Sequence, residues 1–337
     1  MPKPDPVLNV TIPVYNRFRL TQRTLLSLRR CVQTIPFVVT VVDNGSDKAL
    51  GQRLLEFHKT GIIDHLFRLP RNTGIAVAAN IGWRMVDAPY YMKLDNDIEI
   101  LDPQLLPKLF RLWSYGKPLS TLSPLWEDRK HILEQDDAVK TPEGALGVDS
   151  TITNGAGAGI LIPRPLSEIL GLWNEDYGLY GAEDGDYGLR MKCAGFPQYL
   201  YLATNLTAHL GVKESFEDAG LSQAHKKVEH RKLFVDSEGD PGLFKINHYL
   251  FDMCIRAWKT PLRYEITDIG ADCLVRLKER AAYREFRAAL ERCRILIITR
   301  RRKKGANAIC DGDFIEDLKN IMRACGEGCD SALPKQG

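Results

Sequence analysis

At 337 residues, 44% hydrophobic and 26% charged, the chain has ordinary globular composition, long enough for a large core and one accessory region. The net charge of +3 makes no global case for nucleic-acid binding, and no run approaches the roughly 20 apolar residues that span a bilayer. The opening Met1-Pro2-Lys3-Pro4-Asp5-Pro6 lacks the apolar core of a signal peptide, so a cytoplasmic protein is expected. The eight scattered cysteines form no CxxC pair and are expected to be free thiols rather than a zinc set.

The first hundred residues alternate strand and helix patterns. Val7 to Val14 reads as a buried strand, and Arg19 to Arg30 carries Leu20, Thr24, Leu25 and Leu28 at helical spacing. Phe37 to Val42 is a β-branched run that ends in the turn Asp43-Asn44-Gly45-Ser46. Leu50 to His58 is a helix, Asp64 to Leu69 a short strand, Thr73 to Val86 an Ala-rich helix, and Tyr90 to Leu94 a strand. Such an order implies a mostly parallel sheet with right-handed crossovers. The pattern then loosens. Leu119 to Trp126 and Thr151 to Ile162 read as strands, with a polar loop over the cleft from Glu127 to Ser150. Pro165 to Leu170 and Glu183 to Ala194 read as helices and Gln198 to Leu202 as a strand. From about Asp240 the pattern is helical to the end.

The chemistry-bearing residues gather at strand ends, the edge where open α/β sheets place their ligand crevice. Asp95-Asn96-Asp97 follows the strand Tyr90 to Leu94. Two carboxylates with a polar spacer suit a hard divalent cation shared with substrate phosphates. Thr11 to Arg17 closes the first strand. Tyr15 is placed to stack on a base, Arg17 to meet phosphate, and Asp43 to accept from a base imide or a ribose hydroxyl. Asn72 is a candidate N-cap, and Gly74 lets backbone approach a ligand. Asn80 and Gly82 are poor helix formers and point to close packing beneath a nucleotide. A second acidic cluster, Glu183-Asp184-Gly185-Asp186, opens a helix. Its members are either acids favoured by the helix dipole or include a general base. His209, just after a strand, is either structural or a partner for Asp97 in a metal site.

Taken in order, these segments resemble the family 2 glycosyltransferases with the GT-A fold, especially their bacterial rhamnosyltransferase-like and galactosyltransferase-like members. The resemblance rests on Thr11-Ile12-Pro13-Val14-Tyr15-Asn16-Arg17, Val42-Asp43-Asn44-Gly45-Ser46, Asn72-x-Gly74 with Asn80-x-Gly82, Asp95-x-Asp97, Glu183-Asp184-x-Asp186 with Arg190, and His209. It spans roughly residues 7–212. Where the family often has Phe-Asp-Glu, this chain has Trp173-Asn174-Glu175-Asp176.

The resemblance implies an α/β, Rossmann-like GT-A catalytic domain over residues 1–240 and a helical accessory region over 241–337. It implies sugar transfer from a nucleotide-diphosphate donor, UDP- or dTDP-linked, to an acceptor hydroxyl, with inversion. Asp97 and His209 become the ligands of Mn²⁺ or Mg²⁺. Asp95 holds the donor ribose or a water on the metal. Pro13, Tyr15, Arg17, Asp43, Asn72, Gly74, Asn80, Asp95 and Asn96 become donor-binding positions, Asp184 the general base, and Glu183 its orienting partner. The acceptor stays open: a glycan, a glycolipid with peripheral membrane contact, or a nucleic acid. The basic run Arg300-Arg301-Arg302-Lys303-Lys304 is either a helix end or an anion-recognition element, and it keeps transfer to a modified DNA base in view. A nucleotidyltransferase would carry a Gly-rich basic loop after the first strand, which this chain lacks. A nucleotide-sugar-binding scaffold is the alternative from another class.

Overall fold

The strand Leu8–Val14 (β1) is buried along its whole length, as a strand covered on both faces is, and its one buried side-chain amide, Asn9, donates to the Gly82 and Val86 carbonyls. The computed structural model describes residues 7–124, 138–148, 159–212 and 231–326. Within them, α1 (Phe18–Arg29), β2 (Phe37–Asp43), α2 (Lys48–Lys59), β3 (His65–Arg68), α3 (Ile75–Met85) and β4 (Tyr90–Leu94) follow in the expected order. β1 pairs in parallel with β2 on one side and with β4 on the other, and β3 extends the edge beyond β2. Pro13 has no N–H for a ladder. It is tolerated because β4 pairs with β1 only from Leu8 to Thr11. Gly82 lies against Thr11, whose side chain fills the space a Cβ would need, so the close packing expected there is present.

After β4 come β5 (Ile98–Ile100), α4 (Leu105–Trp113), β6 (Thr121–Pro124), β7 (Val139–Thr141), β8 (Gly144–Val148), β9 (Gly159–Pro163), α5 (Arg164–Leu170), α6 (Glu183–Cys193), β10 (Gln198–Leu202) and β11 (Thr207–His209). The main sheet has the order β3-β2-β1-β4-β9-β6-β10-β8-β7. It is parallel from β3 to β4, and β9 runs antiparallel to both β4 and β6. The sequence pattern does not assign α4, because Pro107 interrupts it. Proline in a helix's first turn removes an N–H that has no intrahelical partner anyway. Leu105, Leu106, Leu109 and Leu112 then face the core at helical spacing. The stretch read as a loop from Glu127 to Ser150 contains the β7–β8 hairpin; residues 125–137 and 149–158 lie outside the described part.

The tail corrects a second expectation. It is helical in α7 (Leu243–Asp252), α8 (Ala281–Lys304) and α9 (Gly312–Arg323), but a hairpin, β12 (Tyr264–Ile269) and β13 (Val275–Glu279), stands between them. Tyr264 and Val275, with Ile266 and Leu277, pack against Val42, Phe67, Val77 and Ile81. Glu265, Arg276 and Lys278 alternate with them, which is strand periodicity. The helices of the tail share their own core around Ile246, Leu250, Phe286, Leu290 and Leu318.

The basic run ends α8. The Arg300 Nε donates to the Ala308 carbonyl at 2.7 Å, and its guanidinium pairs with Asp311 at 2.9 Å and covers the Phe314 ring. Arg302 pairs with Glu238 and Asp240. These contacts favour the packed helix end over anion recognition. Among the described residues, no helix is long and apolar enough to cross a membrane.

Candidate active site

The edge formed by the C-terminal ends of β1, β2 and β4 is laced together by polar side chains. Past β1 the chain turns through two left-handed residues, Asn16 (φ 53) and Arg17 (φ 60). Non-glycine residues there cost on the order of 1–3 kcal/mol each and persist only when surrounding contacts fix them. The Asn16 N–H donates to Ser46 Oγ at 2.9 Å, and Asn16 Oδ1 accepts the Asp47 N–H at 3.0 Å. This kink carries the Arg17 guanidinium to Asp97 Oδ2, 3.0 Å away.

Asp43 is 2% exposed. Its oxygens accept the Ser46 N–H at 2.9 Å and Arg68 Nε at 3.3 Å. Arg68 also reaches the Asp272 carbonyl at the tip of the C-terminal hairpin, at 3.4 Å. Asn44, on which the sequence reading set no role, is the hub of the next turn. Its Oδ1 accepts the Thr73 N–H and hydroxyl at 2.9 and 3.0 Å, and its Nδ2 donates to Asn72 Oδ1 at 3.0 Å.

Several expectations change here. Asn72 is not the N-cap of α3; Gly74 occupies that position, and Asn72 Oδ1 accepts the Gly74 N–H. Gly74 (φ 103) admits the Gly178 carbonyl where a Cβ would stand, so the close approach is to protein backbone. Asn80 is 0% exposed. It donates to the Trp173 carbonyl at 2.8 Å and to Glu175 at 2.7 Å, and it accepts the Trp173 N–H at 2.9 Å. It fastens the 173–175 segment and presents no surface to a ligand. Pro13 is buried within β1. Asn96 donates to Thr21 Oγ1 at 3.0 Å and anchors the acidic turn to α1. Tyr15, partly exposed, keeps a face toward solvent at the strand end.

β5 and β11 bring the distant histidine in, because Ile98 pairs with His209. His209 Nε2 lies 3.5 Å from Asp97 Oδ1, and the Leu210 N–H donates to the Asp97 carbonyl at 2.8 Å. Gly211 packs so closely on Asp97 Oδ2 that no Cβ fits. Burial pushes the Asp97 carboxyl up, but His209 and the Arg17 guanidinium outweigh it and hold it below the usual range.

The third group stands at the start of α6. Ala182, left-handed at φ 65, turns the chain into the helix. Glu183 is 5% exposed, and its Oε1 lies 3.7 Å from Lys93 Nζ. Lys93, 1% exposed, pairs with Asp95 Oδ1 at 2.8 Å. Burial, joined by the Asp184 charge and only partly offset by Lys93, pushes Glu183 up to about 7. The half-buried Asp184 is likewise raised by burial, against the pull of Lys93. Tyr180, 46% exposed, stands close enough to feel Glu183, Asp95, Asp184 and Asp97. Asp186, by contrast, is structural. It is fully buried between Arg190 Nε (2.7 Å), the Tyr177 hydroxyl (2.6 Å) and Asn174 Nδ2 (2.9 Å).

The structure thus joins Arg17, Asp95, Asp97, Glu183, Asp184 and His209 through direct contacts or charge, with Lys93 between the two acidic clusters. Neither Lys93 nor Gly211 stands out in the sequence, although a lone lysine in an apolar strand, two residues before an acid on the same face, is a legible signal. One carboxylate and one imidazole, Asp97 and His209, present oxygen and nitrogen donors that fit a divalent cation. Among the described residues no group of three or more His, Cys, Asp or Glu could hold a metal. The pair fits a cation that completes its shell from water and substrate phosphate.

A mixed α/β sheet, parallel from β3 to β4 and with acids gathered at its strand ends, is the architecture of the GT-A fold. Residues 9–124 match the family model described as Glycosyl transferase family 2. That segment belongs to family 2, and the protein is a glycosyltransferase. The match covers about a third of the chain, from β1 to β6, and includes Asp43, Asp95 and Asp97. No curated protein matches the chain.

Proposed function

We propose that the protein transfers a hexose from a UDP- or dTDP-linked donor to an acceptor hydroxyl by a single inverting displacement that depends on Mn²⁺ or Mg²⁺. The observation that carries this reading is the meeting of the two acidic clusters, far apart in sequence, across Lys93. Asp97 and His209 would hold the cation, which when bound neutralises charge developing on the leaving diphosphate. Arg17, on the same carboxylate, is positioned to meet donor phosphate. Tyr15 and Asp43 would receive the base, with Asp43 oriented by Arg68 and the Ser46 N–H.

On the acceptor side, Asp184 Oδ1 accepts the Gly185 N–H at 2.8 Å, and Oδ2 is assigned the acceptor proton. As the acceptor oxygen bonds to the anomeric carbon, the bond from that carbon to the diphosphate oxygen breaks and the proton passes to Asp184. A carboxyl raised toward neutrality is a better proton acceptor, and general-base help is worth about 10²–10⁴-fold. Glu183, on the adjoining residue, orients the base.

The test is donor turnover with and without metal. EDTA should abolish transfer and donor hydrolysis, and Mn²⁺ or Mg²⁺ should restore them. Asp97→Asn should lower the rate about 10²–10³-fold, the scale of losing one key electrostatic group. Full activity in EDTA would remove the metal from the mechanism.

A further inference from the structure

Lys93 is the fourth residue of β4, and its neighbours on either side, Met92 and Leu94, belong to the core on the opposite face of the sheet. Tyr91, which shares its face, packs with Trp83, Trp173 and Tyr187. An ammonium placed in that aromatic cluster costs several kcal/mol of hydration unless opposite charge and hydrogen bonds replace the water. Among the described residues, Asp95 Oδ1 at 2.8 Å, Glu183 Oε1 at 3.7 Å and the face of Trp173, with Nζ 5.6 Å from the ring centroid, help to replace it. Burial works against the charge of Lys93, but Asp95, Glu183 and Asp184 outweigh it and raise its affinity for the proton. It is therefore held as a cation through the neutral range.

On the far side, Glu183 is poorly provided for. Its Oε2 is buried and has no hydrogen-bond partner among the described residues. The groups that face it are few. Lys93 and Asp95 come from β4 and the turn after it, Asp184 from its own helix, and Tyr180 from the loop before α6. Only Lys93 among these is positive. Farther along the acidic triplet, Arg17 and His209 are engaged by Asp97.

We propose that Lys93 is a positioning residue, the buried counter-charge that joins the strand-end carboxylate Asp95 to the helix-start carboxylate Glu183 and keeps the Glu183–Asp184 pair ionised for work on the acceptor. The proposal rests on the transferase reading above, in which Asp184 is the base. An opposite charge within about 4–6 Å moves a carboxylate by about 1–3 pH units. Lys93 therefore sets the lower edge of the working pH range, and it does so without touching either substrate.

The experiment compares the parent with Lys93→Met, which keeps the length and packing of the side chain, and with Lys93→Arg, which keeps the charge. In Lys93→Met the acid limb of the kcat/KM profile should move up by about 1–3 pH units, and Lys93→Arg should restore most of that shift. A limb at the parent position, with activity lower by one factor at every pH, would overturn the proposal. A second arm needs no substrate. The stability deficit of Lys93→Met should be large at pH 8.5, above the Glu183 value of about 7, and smaller at pH 5.5, below it. A deficit equal at both pH values, or one that Lys93→Arg shares in full although it keeps the charge, would overturn the role of Lys93 as counter-charge. A parent protein that turns over no nucleotide sugar would defeat the transferase reading while the stability arm still decides the role of Lys93 as counter-charge.

Discussion

Asp97 and Asp184 sit at the ends of neighbouring elements, and their surroundings drive them in opposite directions. Burial pushes both up, but His209 and Arg17 bring Asp97 below the usual carboxylate range, whereas Lys93 does not bring Asp184 back. A carboxylate held ionised is suited to carry charge, and one raised toward neutrality is suited to exchange a proton. Asp184→Asn should therefore abolish turnover while leaving donor and metal binding intact by calorimetry. Loss of donor binding would place Asp184 on the donor side instead. Both carboxylates are legible as candidates in the sequence because the two acidic groups keep company with other strand-end polar residues, although the helix dipole alone also favours acids at the start of α6. Asn44 and Gly211 are not legible as site residues, since what they do depends on partners up to 114 positions away, as in the contact of Gly211 with Asp97, and Lys93 is legible only as a lone lysine in an apolar strand, not as the partner of Glu183. Asn80 misleads for the same reason. A polar residue in a helix signals that something must satisfy it, but not that Trp173 and Glu175 do.

At the scale of elements, α6 shows how one short motif divides its duties. Glu183 and Asp184 lie beside Lys93 and are the pair assigned to the acceptor in the proposed reaction, and Asp186, less than a turn later, closes a buried network. Asp186 holds Arg190 and the Tyr177 hydroxyl; Tyr177 accepts from Asn247 at 3.0 Å, and Asn247 accepts from Arg256 at 2.6 Å. Arg190 also donates to the Leu170 and Leu172 carbonyls, at 2.6 and 3.0 Å. Removing one partner of such a pair strands a buried charge and costs about 3–5 kcal/mol. Asp186→Ala should lose that much in chemical denaturation, and Asp184→Asn, half-buried at the helix start, should lose far less. Equal losses would show that the motif is structural throughout. The elements themselves follow the sequence closely from β1 to β4, because apolar periods and turn residues agree there. They fail where one local signal masks another. Pro107 hides α4, and the helical stretches on both sides hide the alternation of Tyr264, Ile266, Val275 and Leu277.

For the molecule as a whole, acid and base stability turn on carboxyls buried at the joint with the tail. Glu175 accepts from Asn80 on α3 and from the Arg263 N–H, at 2.6 Å, just before β12. Burial pushes it up to about 7, although Asn80, the Arg263 N–H and Arg84 pull it down. Its folded value lies above its unfolded one, so the folded state holds the proton more tightly. The contribution of Glu175 is then most favourable below about pH 4.5 and declines as pH rises to about 7. Glu175→Gln, which cannot ionise, should gain on the parent over that interval by on the order of a few kcal/mol, read from denaturation midpoints at each pH. A constant difference would show that Glu175 does not titrate in the interval. The joint extends further. Asp176 meets Arg256 at 3.0 Å and the Tyr283 hydroxyl at 3.2 Å, and Arg68 links Asp43 to the hairpin tip at Asp272. A chimera that grafts residues 1–240 onto a foreign tail would strip away the Arg256 guanidinium, the Arg263 amide and the Asp272 carbonyl together. Recombining such enzymes to change donor choice therefore has to move residues 241–326 as part of the same cassette, since Arg68, which orients Asp43, leans on the far end of the chain.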